Sequence, residues 1–134
     1  MKNTLNKIVL EEAIDEALYR KEAELFRDKI VDGDRIAKIF EQFAKEEKVH
    51  CEVVKEIFDE NWETIKIPKP VKLKESLRET LYYHVEKERE TIRMYEGILK
   101  QSISPLNTLM IKGILFEENN HLNTAIHYLK RIKE

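Results

Sequence analysis

Two short patterns in the chain place a carboxylate and an imidazole at i and i+3: Glu47-Lys48-Val49-His50 and Glu118-Asn119-Asn120-His121. On a helix, residues at that spacing share a face, so each pair can present oxygen and nitrogen to one ion. Hard carboxylate oxygens with one imidazole per metal suit iron or manganese, with zinc as an accepted substitute. A single cysteine, Cys51, excludes thiolate clusters, a CxxC zinc ribbon and an internal disulfide.

The two patterns belong to a repeat. The interval from His50 to His121 is close to half of the chain, which divides into halves of similar layout. The step from Glu16 to Glu47 exceeds that from Glu88 to Glu118 by a single position, which a turn absorbs easily. Counted from Gly33 in the first turn, Glu16 stands only three positions further away than Glu47 does. At a helical rise of about 1.5 Å per residue, that puts the two within about 5 Å of one level. The expected ligand set is therefore Glu16, Glu47, His50, Glu88, Glu118 and His121. Helix 1 leaves alternatives open. Glu12 lies in the same seam one turn earlier, and Glu22 is flanked by Leu18, Tyr19, Leu25 and Phe26.

The elements that position these residues are helices. Gly and Pro number only three each among 134 residues, too few turn formers for a many-stranded sheet protein. Breakers at Asp32-Gly33-Asp34, Ile67-Pro68-Lys69-Pro70 and Ser102-Ile103-Ser104-Pro105 divide the chain into four segments. The spacing predicts helices over Thr4–Val31, Arg35–Asn61, Lys74–Gln101 and Pro105–Lys133. Each carries an apolar seam at steps of three and four, interrupted near its middle by ionisable residues. Lone carboxylates are costly to bury, so their repeated presence in seams calls for partners or metal. Short turns make two antiparallel hairpins. The stretch Trp62–Leu73 is long enough, at roughly 40 Å extended, to cross the length of a bundle. The expected class is all-α: a single domain over 1–134, a four-helix bundle with a long crossover between helices 2 and 3.

With 24 basic and 26 acidic residues the net charge is −2, which excludes a nucleic-acid footprint or strong attraction to anionic membranes. The apolar run Ile8-Val9-Leu10 is too short for a signal-peptide core, and no transmembrane span is expected. A soluble cytoplasmic protein is the expectation.

The chain resembles the ferritin-like di-iron carboxylate proteins, and among them the erythrin domain of the rubrerythrin family. The likeness is sharpest in Glu86-Lys87-Glu88-Arg89-Glu90-Thr91-Ile92-Arg93-Met94-Tyr95, similar to the family's ligand Glu with a Tyr at plus seven. The resemblance implies a ferritin-like bundle holding two iron ions. Glu16 and Glu88 would be terminal carboxylates, Glu47 and Glu118 bridging ones, and His50 and His121 the imidazoles. Tyr95 would donate a hydrogen bond to a ligand carboxylate. Three departures stand out: Ala23 occupies the place where a Tyr would follow Glu16 by seven, Val85 and Thr91 flank Glu88 where rubrerythrins carry a further carboxylate, and no rubredoxin-like segment is present.

The implied activity is reduction of peroxide or dioxygen, with electrons from a separate donor protein. Ferroxidase or iron-handling activity and a non-enzymatic metal-binding bundle are the alternatives. His84 and Tyr19 are expected to pack in the core, His127 to be solvated, and Cys51 to act as a small hydrophobe. Further apolar rows, Leu10, Ile14, Leu18 and Leu25 on helix 1 with Ile92 and Leu99 on helix 3, point to a homodimer.

Overall fold

The computed structural model describes residues 2–58 and 73–132. These form four helices: α1 (Lys2–Arg27), α2 (Gly33–Ile57), α3 (Leu77–Leu99) and α4 (Pro105–Arg131). No strand occurs among the described residues. The chain divides into two units, one holding α1 and α2 and the other α3 and α4. The expected crossover, Trp62 included, lies outside the described residues apart from Leu73.

In the first unit, α1 and α2 pair as an antiparallel hairpin. Buried positions on α1 run Leu5, Ile8, Val9, Glu12, Asp15, Leu18, Tyr19, Glu22, Ala23 and Phe26, the three-and-four spacing of one helical face. The Tyr19 ring meets Phe40 at 5.4 Å and Phe43 at 5.5 Å between centroids, the second contact edge-on. Such aromatic contacts add about 0.5–1.5 kcal/mol to the area they bury. They knit the two helices together between the turn and the polar stretch of the seam.

The turn differs from expectation in a way that matters for the site. Helix α1 ends at Arg27, short of the expected Val31, and residues 28–32 form the connection. Asp32 takes the left-handed conformation, φ 62°, and Gly33 opens α2. A Cβ on Gly33 would lie 2.3 Å from the carbonyl oxygens of both Phe26 and Arg27. Only glycine lets α2 start this close to the end of α1.

In the second unit, serine caps start both helices. Ser76 Oγ accepts from the Glu79 backbone N–H, and Ser104 Oγ accepts from that of Asn107, each at 3.1 Å. Pro105 fills the first helical position of α4, where its missing N–H costs nothing. Buried residues of α3 include Leu81, His84, Val85, Glu88, Thr91, Tyr95 and Ile98, and those of α4 are Ile111, Ile114, Glu118, His121 and Ala125.

The further apolar rows on helices 1 and 3 are partly covered. Leu18 is buried, and Leu10, Ile14, Leu25, Ile92 and Leu99 are half-buried. Large apolar side chains that do reach solvent concentrate on α4, at Leu106, Leu109, Met110 and Phe116. No helix among the described residues is long and apolar enough to cross a membrane.

Candidate metal centre

Each hairpin buries a trio of two carboxylates and one imidazole. In the first it is Glu12, Glu47 and His50; in the second it is Glu88, Glu118 and His121. All six are at most 1% exposed. Within each trio every residue offers a ligand atom within 4.8 Å of the others.

In the first trio His50 Nδ1 lies 2.9 Å from Glu12 Oε2 and 3.7 Å from Glu47 Oε1. The shorter distance is a hydrogen bond whose direction follows the His50 tautomer. The other oxygen of Glu12, Oε1, is buried without a hydrogen bond. A buried carboxylate oxygen in that position costs free energy unless a cation meets it.

The second trio is looser. His121 Nδ1 lies 3.7 Å from Glu88 Oε1 and 3.9 Å from Glu118 Oε1. Burial, then the neighbouring Glu118 charge, pushes the Glu88 carboxyl up to about 8, although His121 pulls the other way. Two carboxylates this close and this dry cannot both stay ionised without a cation. In both hairpins the buried donor atoms converge closely enough for a divalent ion to meet them.

Of the expected residues, Glu47, His50, Glu88, Glu118 and His121 are each buried in the trio of their own hairpin. Glu16 is different. Its side chain is 26% exposed and pairs with Arg20 at 3.1 Å, while Glu12 faces His50. The reason is the turn. Residues 28–32 are not helical, so they contribute no regular rise when levels are counted. Measured from the helix ends, Glu12 before Arg27 and Glu47 after Gly33 stand at depths that differ by a single position. At about 1.5 Å per residue those two levels agree to within about 2 Å.

A sequence signal for Glu12 was present. Tyr19 follows Glu12 by seven, as Tyr95 follows Glu88 by seven, and both tyrosines are buried. Both halves therefore read Glu, then Tyr at plus seven, then Glu-x-x-His. Glu22, the other alternative, is buried but stands nearly three turns from Glu12, about 15 Å along the helix. Asp15, fully buried one turn beyond Glu12, was not anticipated; Thr91 takes the corresponding place after Glu88.

Other candidates fall outside the trios. His84 is buried one turn before Glu88, and His127 is exposed with Arg131 3.4 Å away. Cys51 is half-buried, its Sγ donates to the Val9 carbonyl at 3.7 Å, and burial pushes its thiol up. That environment disfavours the reactive thiolate.

Among known structures, the chain matches a crystal structure of a ferritin-like, diiron-carboxylate protein from Bacillus anthracis str. Ames. The TM-score is 0.80 at 25% identity, over 95% of this chain and 93% of that one. The fold is ferritin-like. The four helices thus have the ferritin-like four-helix bundle fold, and the chain resembles the diiron-carboxylate superfamily across nearly its whole length. No protein-family model and no curated protein matches the sequence.

Proposed function

We propose that this ferritin-like chain is a diiron-carboxylate oxidoreductase of rubrerythrin-like type, reducing peroxide or dioxygen with electrons from a separate donor protein. The observation that carries the reading is the duplicated buried trio, one Glu-Glu-His set per hairpin. The donor chemistry fits: four carboxylates and two imidazoles supply hard ligands for two ions, and Glu12 Oε1 lacks any other buried partner. The likeness to a protein described as diiron-carboxylate supports the same reading.

On this reading Glu12, Glu47 and His50 would hold metal in the first hairpin, and Glu88, Glu118 and His121 in the second. Glu16, expected in the Glu12 role, instead holds Arg20 at the edge of α1. Iron held there would supply the redox chemistry, one electron per ion, that reduction of an O–O bond requires. The chain's own residues would hold the ions away from water, and the Glu88 carboxyl would give up its proton as metal binds. Tyr95 on α3 and Tyr19 on α1 are buried seven residues, about two turns, after the first carboxylate of each hairpin.

The test is anaerobic iron loading followed by metal analysis and absorption spectroscopy. About two ions per chain are expected, oxidised stoichiometrically on adding peroxide. Fewer than half an ion per chain overturns the metal reading. Full loading with oxidation by dioxygen alone, followed by build-up of ferric mineral, would replace peroxide reduction by iron handling.

A further inference from the structure

The two hairpins are alike in their trios and unlike around them. Among the described residues the first buries four acids, Glu12, Asp15, Glu22 and Glu47, with one histidine, His50. The second buries two acids, Glu88 and Glu118, with two histidines, His84 and His121.

Beside the trios this difference falls on one pair of matching positions. Asp15 stands three residues after Glu12, where Thr91 stands three after Glu88. Both are buried, at 0% and 1% exposure. At i and i+3, Glu12 and Asp15 leave one face of α1 with Cβ atoms about 5–6 Å apart. Measured from the helix ends at the turn, Asp15 and Glu47 stand at depths that differ by two positions, a rise of about 3 Å. Asp15 therefore adds a carboxylate on the turn side of the first trio, where the second trio has a neutral hydroxyl. The first trio is also the closer set. His50 Nδ1 is 2.9 Å from Glu12 Oε2, whereas His121 Nδ1 is 3.7 Å from Glu88 Oε1. Glu12 keeps a second buried oxygen, Oε1, without a hydrogen bond.

We propose that Asp15 makes the two metal positions unequal, so that a hard divalent ion fills the first hairpin before the second. The proposal rests on the metal reading given above and adds to it an order and the residue that sets the order. A buried carboxylate attracts a divalent cation with little screening by water, which the Thr91 hydroxyl cannot match. Groups just outside the ligands of a metal commonly change its affinity tenfold to a hundredfold. At one ion per chain, the first hairpin holds it.

Anaerobic titration of the intact protein with Mn(II), with free ion counted by electron paramagnetic resonance, reads the two affinities apart from any catalytic turnover. Two steps are expected, separated by at least about tenfold. His50→Ala should abolish the tighter step and leave the weaker, and His121→Ala should do the reverse. Asp15→Asn keeps the shape of the side chain and removes its charge. It should weaken the tighter step by at least about tenfold and leave the weaker constant alone, a selectivity that general loosening of the bundle would not give. Thr91→Asp should strengthen the weaker step. Two ions bound with equal constants, loss of the tighter step in His121→Ala, or a tighter step unchanged in Asp15→Asn would each overturn the proposal and leave the metal centre standing. Fewer than half an ion per chain overturns the metal reading and this proposal with it. Should circular dichroism show that Asp15→Asn does not fold, the order read from the two histidine variants decides.

Discussion

Glu12 and Glu16 stand one helical turn apart and meet opposite surroundings. Glu12 is dry and holds His50 Nδ1, whereas Glu16 reaches water and pairs with Arg20. Replacing Glu12 by Ala should weaken iron or manganese binding more than about tenfold, as loss of groups in a metal site does. Glu16→Ala should leave affinity unchanged and alter stability by under about 0.5 kcal/mol, since exposed i,i+4 pairs contribute little. Competition titration with a metal-sensitive dye reads both, and reversed effects would return the ligand role to Glu16. Glu88 makes a pH prediction for the metal-free protein. Its carboxyl is raised from an ordinary 4.5 to about 8, so between those pH values the folded chain binds more protons than the unfolded one. Stability from this group is full below about 4.5 and falls as pH rises toward 8. Urea unfolding across that range should show a decline that Glu88→Gln flattens. Metal binding below pH 8 should release protons, measurable in a weakly buffered indicator solution.

At the scale of elements, the two hairpins reach similar sites through different starts. Helix α2 has no side-chain cap and relies on a backbone approach that only Gly33 permits. Gly33→Ala should destabilise the protein by about 1–3 kcal/mol, because backbone carbonyls, unlike a flexible side chain, cannot give way. Gly97→Ala on α3 is the contrasting case. A Cβ there meets nothing within 4 Å, so it should stabilise by about 0.5–1 kcal/mol. Denaturant midpoints of the two variants should move in opposite directions; a shared direction would mean that the Gly33 contact is not what closes the turn.

For the molecule as a whole, the four buried carboxylates of the two trios carry an electrostatic cost that bound metal would relieve. Repulsion is limited in the metal-free chain by protonation, as at Glu88. Bound ions that contact only the folded state stabilise it through linkage. Adding Fe(II) or Mn(II) should therefore raise the melting temperature of the original protein and raise that of Glu118→Ala much less. Without metal, Glu118→Ala should be as stable as the original or more so, since removing a buried acid also removes its repulsion with Glu88. Equal gains in both proteins would show that Glu118 is no ligand.

Helix number, class and the two Glu-x-x-His pairs were legible in the amino-acid order, because periodicity and i,i+3 spacing are local properties of one helix. The duplicated layout of the halves was legible too, through the half-chain interval between His50 and His121. The α1 carboxylate that faces His50 was signalled only by the Tyr at plus seven, and counting levels from the turn pointed to Glu16 instead. Which of the two faces His50 depends on where α1 stops, and α1 stops at Arg27 because Gly33 must pack against the carbonyls of Phe26 and Arg27. Likewise, Leu18 and Leu106 look alike in a hydropathy pattern, yet one is buried and the other is 71% exposed. Which apolar row is covered depends on packing between segments far apart in the chain, which periodicity within one helix does not encode.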